Sequence, residues 1–390
     1  GTASIKNLPL GTYYVKEGKA GNGTFLLNPE IKEVVLSYEN QDTPMVFAKD
    51  TSYINARQKV EIRIHKKANH PEGENIPIEG AVFGLYAAED LYGYTVSNDR
   101  VVTPYSDPYI KKDQLLEVLA SDEQGLAVFR TDVPNGRYYV KELQSAPGYL
   151  ENPDVYEFDA SYTGEQGDTT LLFEQEVFNT AARIQVSKQD LTNGREIPGA
   201  TLRIVEKETG KIVDTWISEE IPHTVSGLRL SGTEEYRYLL QETLPALGFV
   251  TAEEIEFRLI QDRDESGQWM DSSRVQIMER QDNVEIWTSP EENMLVMKDD
   301  ITQVEIQKRD KETQELLEGA ELTLYNADGQ EVMSWMSQSD EGYLMMRLPI
   351  GTYRLEEKKA PKGYLTAEPL VFEVLDESGV QVIVLEDERI

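Results

Sequence analysis

Apolar residues in this chain recur at every second position in short runs, and Gly, Pro, Asn and Asp break those runs. A period of two puts alternate side chains on opposite faces of a strand. The pattern therefore predicts short strands joined by tight turns, the arrangement of an all-β sandwich. One run departs from it. Lys111–Ala120, KKDQLLEVLA, spaces Leu115, Leu116 and Leu119 as one face of a short helix.

Three kinds of alternating run repeat, and each ends in a polar residue on its own apolar face. The first ends in Lys: VEIRIHK at Lys66, RIQVSK at Lys188 and VEIQK at Lys308. Aliphatic residues stand two and four positions before each Lys: Ile64 and Ile62, Val186 and Ile184, Ile306 and Val304. Lys67 adjoins Lys66, and alternation favours Lys66 as the inward residue. The second kind ends in Glu: LPLGTYYVKE at Glu17, VPNGRYYVKE at Glu142, the divergent EEYRYLLQE at Glu242 and LPIGTYRLEE at Glu357. The third ends in Asx: PMVFAKD at Asp50, EQEVFN at Asn179, NMLVMKD at Asp299 and VIVLED at Asp387.

A complete unit runs from a Lys strand through a Glu strand to an Asx strand. This gives tandem units at about 58–180, 181–301 and 302–390, the second of them with an insertion near 262–293 that reads as an added hairpin carrying Trp269 and Trp287. Residues 1–57 hold only the Glu and Asx runs. They are expected to be the C-terminal part of a unit whose Lys strand precedes Gly1, within a longer protein. Few residues separate Asn179 from Lys188 or Asp299 from Lys308, so neighbouring units are expected to join semi-rigidly, as an elongated rod.

Composition narrows the function. The 38 basic residues face 71 acidic ones, a formal charge of −33, which argues against nucleic acid or an anionic membrane surface as partner. There is no Cys, so disulfides, a thiol nucleophile and thiolate metal sites are excluded. No run of about 18 apolar residues is present to span a membrane. His65, His70 and His223 lack ligand spacing. Asp262, Asp264, Ser266 and Gly267 begin like a calcium loop, but Ser273 stands where the closing Glu belongs, so the segment reads as an acidic turn. No phosphate loop or Gly-x-Ser-x-Gly motif occurs. No cofactor, no metal and no turnover enzyme are expected. Trp216, Trp269, Trp287 and Trp335 read as sheet packing before they read as a binding face.

The inward Lys, Glu and Asx carry the chemistry. A buried amine loses its proton readily and becomes a nucleophile. A buried Glu is held as a neutral acid and can shuttle protons. An Asn amide or a protonated Asp offers a carbonyl carbon. Together they can form a Lys–Asx amide, with loss of ammonia from Asn or water from Asp. Such a bond joins the first strand of a unit to its last and takes the place of a disulfide.

The runs GAVFGLYAAED, VPNGRYYVKELQSAPGYL, LPIGTYRLEEKKAPKGYL and MKDD resemble the collagen-adhesin B-type domains, also called SpaA-like or prealbumin-like domains, of Gram-positive surface adhesins and pilins. The resemblance covers essentially the whole chain. It implies tandem Ig-like (prealbumin-like) sandwiches with autocatalytic isopeptide bonds: Lys66–Asn179 with Glu142, Lys188–Asp299 with Glu242, and Lys308–Asp387 with Glu357. Glu17 and Asp50 match the Glu and acceptor positions of the incomplete unit, with the partner Lys outside the chain. The unit at 181–301 departs most, with ETLPALGFV in place of the AP(x)GY run. A YPK-type pilin lysine for sortase polymerisation does not occur.

These observations lead to a structural stalk or shaft on a Gram-positive cell wall, held there through a sortase signal outside the chain. A second reading is an adhesive module that takes a host extracellular-matrix or cell-surface ligand on the 181–301 unit. A third is a non-catalytic spacer of a secreted enzyme. An exposed aromatic patch on the insertion favours the second; packed aromatics favour the first.

Overall fold

A computed structural model describes residues 2–18, 25–37, 49–69, 76–97, 102–161, 169–232, 235–282 and 284–390. The described residues hold β-strands and no helix. The chain divides into two compact units, Gly1–Ala181 with Arg263–Asp271, and Ala182–Asp262 with Ser272–Ile390.

Three segments repeat one topology. In each, the Lys strand is the middle of a three-stranded sheet: Lys59–Asn69, Arg183–Asp190 and Gln303–Asp310. On one side it pairs antiparallel with a short strand, Leu126–Phe129, His223–Ser226 or Tyr343–Met346. On the other it pairs parallel with the Asx strand, Thr170–Thr180, Met294–Asp299 or Val380–Asp387. Parallel neighbours need a crossover between them. Here the crossover is the rest of the segment, so its first and last strands lie side by side.

The Glu strand belongs to the second sheet of each segment. Arg137–Gln144 lies in a four-stranded sheet with Val155–Asp159, Val82–Ala87 and Leu115–Ala120. Gly351–Lys359 lies in the corresponding sheet with Glu331–Met336, Glu321–Asn326 and Leu370–Val374. Tyr238–Leu244 lies in a six-stranded version, because Trp269–Gln281 and Val284–Thr288 extend it beyond Ile255–Arg263. The insertion is thus two further strands on one sheet edge.

Alternation fills the space between the sheets. Ile62, Ile64, Phe83, Leu85, Phe129, Tyr138, Val140 and Val177 form one core. Val304, Ile306, Leu322, Leu324, Tyr353, Leu355 and Leu385 form its counterpart. Ile184, Val186, Leu202, Ile204, Tyr238, Leu240, Phe257 and Met297 are buried in the segment between them. Each such side chain contributes roughly 1.5–3 kcal/mol on burial. Tyr138 and Tyr353 also tie their strands to the preceding turn, donating their hydroxyls to the carbonyls of Pro134 and Pro349.

The helix expected at Lys111–Ala120 is a strand, Leu115–Ala120, paired with Val82–Ala87. A bulge explains the misleading spacing. Leu85 pairs with Glu117 and Tyr86 with Leu115, so Leu116 is the extra residue. Leu116 and Leu119 then both pack on the core although they are three residues apart.

In the first segment, Gly11–Lys16 pairs antiparallel with Ile31–Leu36. Most of the strand expected at PMVFAKD, residues 44–48, lies outside the described residues. Asp50 is described; it is exposed and in no strand, which corrects its expected place on an apolar face.

Candidate functional site

Strand register brings three polar residues together in each of the three segments. Lys66 pairs with Val177, Lys188 with Met297 and Lys308 with Leu385. Asn179, Asp299 and Asp387 each stand two residues beyond that partner, on the same face as the Lys. The Glu arrives from the opposite sheet by a shared device. Phe83 pairs with Glu142, Leu202 with Glu242 and Leu322 with Glu357, each just past a bulge. Unbroken alternation with Tyr138 and Val140, Tyr238 and Leu240, and Tyr353 and Leu355 aims each Glu inward beside the amine, and the bulge follows it.

The three amines are sealed from water. The side chains of Lys66, Lys188 and Lys308 are 0%, 1% and 1% exposed. Lys66 Nζ donates to Asn179 Oδ1 and lies 3.1 Å from Glu142 Oε2. Asn179 Nδ2 donates to Glu142 Oε1 at 2.8 Å, closing a three-residue ring. Lys188 Nζ donates to Asp299 Oδ1 and lies 3.0 Å from Glu242 Oε1. Lys308 Nζ donates to Asp387 Oδ1 and lies 3.1 Å from Glu357 Oε1. Lys67, by contrast, points outward to Glu176.

Burial sets the protonation. It pulls the Lys66 amine below its ordinary value, against the opposing attraction of Glu142. It pushes Glu142 up, against the lowering effect of Lys66 and the hydrogen bonds from Asn179 and Asn152. Burial likewise raises Asp299 to about 7 and Asp387 to about 6, although Lys188 and Lys308 pull the other way. Two oxygens in each Asp-containing cluster accept no hydrogen bond: Glu242 Oε1 with Asp299 Oδ2, and Glu357 Oε1 with Asp387 Oδ2. The glutamate oxygens lie within ion-pair distance of the amine but off its hydrogen-bonding directions. The upward shift of each aspartate favours its protonated form, which has a donor to offer there. At Lys66 and Glu142, a neutral amine beside a protonated acid avoids the several kcal/mol per ion that a buried charge pair costs.

Sequence reasoning missed two features. The first is a backbone clamp on the Glu. Ala252 N–H donates to Glu242 Oε2 at 2.6 Å and Ala367 N–H to Glu357 Oε2 at 2.7 Å. Each donor follows its Glu by ten residues, and no side chain marks it in the sequence. The second is the partner of Glu17. Asp50 makes no contact with it; Asn55 does, donating Nδ2 to Glu17 Oε1 at 2.8 Å and Oε2 at 2.7 Å. The Tyr53–x–Asn55 alternation, parallel to Val177–x–Asn179, was the overlooked signal.

The other candidates are accounted for by packing. Asp262 pairs with Arg274 and accepts from Ser272, and Asp264 caps the turn at Ser266 and Gln268. Among the described residues, no group of three or more His, Cys, Asp or Glu is placed to hold a metal ion. Trp287 lies beneath Arg258 and Arg237, Trp269 against Arg263, Trp216 stacks on His223 and Trp335 on Tyr343. Among the described residues, no helix is long and apolar enough to cross a membrane.

A family model described as SpaA, prealbumin-like fold domain, matches residues 60–172 and 302–389. Solved structures similar to the chain include the Bacillus anthracis TIE protein, at 20% identity over 93% of this chain and 55% of that one, with a TM-score of 0.35. They also include the major pilin SpaD from Corynebacterium diphtheriae (13% identity, 87% and 99% covered, TM-score 0.35) and BcpA, the major pilin subunit of Bacillus cereus (14%, 85% and 100%, TM-score 0.32). The chain spans about half the length of the first of these. No curated protein matches.

Proposed function

Because the chain belongs to the SpaA prealbumin-like fold family, we propose that it is a load-bearing stalk or shaft segment of a Gram-positive surface adhesin or pilin. In this reading the segments at 58–180, 181–301 and 302–390 are domains, each stapled by an amide between its first and last strands. The bonds are Lys66–Asn179, Lys188–Asp299 and Lys308–Asp387. The observation that carries this is the threefold recurrence of a fully buried Lys against an Asx carbonyl, with a Glu 3.0–3.1 Å from the amine.

The chemistry follows from the placement. The neutral Nζ attacks the Asx Cγ. Glu accepts the amine proton and returns it to the departing group. At Asn179 the Cγ–Nδ2 bond breaks and ammonia leaves; at Asp299 and Asp387 a C–O bond breaks and water leaves. Each event happens once, so the protein is not a turnover enzyme and no cofactor takes part. Packed tryptophans on the insertion favour the stalk over the ligand-binding reading.

The mechanical consequence is testable. Because the joined strands are the first and last of each segment, tension passes through the bond and the intervening chain stays folded. Lys188 and Asp299 are 111 residues apart. Under single-molecule stretching, Lys188→Ala should release roughly 380 Å of new contour length at about 3.4 Å per residue, and the unsubstituted chain should not. Release of that length from the unsubstituted chain would overturn the proposal.

A further inference from the structure

Asn152 ties together the two partners of the Lys66 amine. Its backbone N–H donates to Glu142, as those of Ala252 and Ala367 donate to Glu242 and Glu357. Its side chain adds a bond that alanine cannot make: Nδ2 donates to the Phe178 carbonyl at 3.0 Å, one residue before Asn179. Thr170–Thr180 is an edge strand, and an edge leaves its outward backbone groups without a strand partner. The orientation of the Asn152 amide is set by its surroundings. Oδ1 accepts the Asp154 N–H at 2.7 Å, which leaves Nδ2 for the Phe178 carbonyl and, at 3.2 Å, the Tyr156 hydroxyl.

The side-chain bond goes with the kind of Asx that faces the Glu. Asn28 repeats both bonds: its N–H donates to Glu17 Oε2 at 2.7 Å, and its Nδ2 to the Ile54 carbonyl at 2.9 Å, one residue before the Asn55 that meets Glu17. Where the Glu stands with Asp299 or Asp387, the clamping residue is Ala. The chemistry supplies a reason. The two oxygens of a protonated Asp carboxyl exchange roles, so either can leave as water. An Asn amide has one productive orientation, with Oδ1 toward Lys66 and Nδ2 toward Glu142. Turned over, it sets its NH2 against the amine and carries the leaving nitrogen away from the proton carrier. A bond to the Phe178 carbonyl holds the peptide plane between Phe178 and Asn179, which restrains that turn and keeps the reacting atoms together.

We propose that Asn152 is a positioning residue for an asparagine acceptor: its side-chain bond to the Phe178 carbonyl holds Asn179 in the orientation from which ammonia departs. The inference rests on the crosslinking reading above. Lys66 Nζ attacks Asn179 Cγ, the Cγ–Nδ2 bond breaks, Glu142 carries the amine proton to the departing nitrogen, and ammonia leaves. Asn152 takes no part in the proton transfer; it fixes the places of the groups that do.

The test is the rate of bond formation in freshly refolded full chain, read by quenched intact mass and peptide mapping. The Lys188–Asp299 and Lys308–Asp387 bonds of the same molecules serve as internal standards. Asn152→Ala places there the residue that the other two segments carry, so the clamp on Glu142 is kept. It should slow the Lys66–Asn179 bond about tenfold, the worth of one hydrogen bond, and leave the standards unchanged. In Asn179→Asp chain the bond should form with loss of water, and adding Asn152→Ala should leave its rate unchanged. Equal slowing with either acceptor would make Asn152 merely structural and overturn this inference alone, as would an Asn152→Ala chain that reacts at the parent rate. A parent chain with no bond between Lys66 and Asn179 overturns the crosslinking reading as well.

Discussion

Replacing Lys308 with Ala removes the amine of one cluster and leaves its sandwich otherwise intact. If Lys308 and Asp387 are joined, the substitution reopens a loop of 79 residues in the unfolded chain. The loop-entropy relation assigns such a closure about 4.5 kcal/mol at 25 °C. In a segment of this size each kcal/mol moves the midpoint by about 4–8 °C, so its thermal transition should fall by roughly 20–35 °C. Deleting an amine also leaves Glu357 and Asp387 facing one another. Glu357→Gln is therefore the control, since it keeps Lys308 and Asp387 but removes the proton carrier. Measured against the mass of its own sequence, each variant should lack one water fewer than the unsubstituted chain does, and both transitions should drop in scanning calorimetry. A Lys308→Ala transition within a few degrees of the parent, or a Glu357→Gln chain that still lacks the water, would refute the reasoning.

Three further outcomes follow from the geometry. Asp299 and Asp387 are raised to about 7 and 6, and only the neutral acid is an acceptor, so bond formation in freshly refolded chain should slow above about pH 7 at Asp299 and above about pH 6 at Asp387, read by quenched mass spectrometry. Gly125 has a φ of +72°, and a Cβ there collides with the Lys66 carbonyl oxygen; Gly125→Ala should cost about 2 kcal/mol or more in denaturant unfolding and slow the Lys66–Asn179 bond. Burial raises Asp190, but hydrogen bonds from Thr192 and Arg347 outweigh it and hold the group at about 2. Its stabilising effect is present above the ordinary aspartate range and is lost as pH falls toward 2. Arg347→Ala should raise that value in an NMR titration and, since Arg347 is 39% exposed, cost only about 1 kcal/mol or less.

Strand alternation made much of this legible. A Lys with aliphatics two and four positions before it has one way to face on a strand, and Lys66 over Lys67 follows from that alone. What alternation could not reveal was any place where the chain breaks period two. The bulge at Leu116 mimicked helical spacing. The bulges that follow Glu142, Glu242 and Glu357 leave no mark in a single strand because they depend on the partner's register. Asp50 was misjudged for a related reason. It ends an alternating run, but the residue that meets Glu17 is set by where the chain returns, and that is Asn55. Backbone clamps such as Ala252 on Glu242 are sequence-blind by nature, since any residue but proline supplies the N–H.

The most direct test of the central claim is the intact mass of the purified full chain under denaturing conditions, where hydrogen bonds and ion pairs are gone and only covalent bonds count. The account predicts a mass below that of the sequence by one ammonia and two waters, with the crosslinked peptides mapping to Lys66–Asn179, Lys188–Asp299 and Lys308–Asp387. A mass equal to that of the sequence would contradict it and would leave three buried polar clusters with no bond between them.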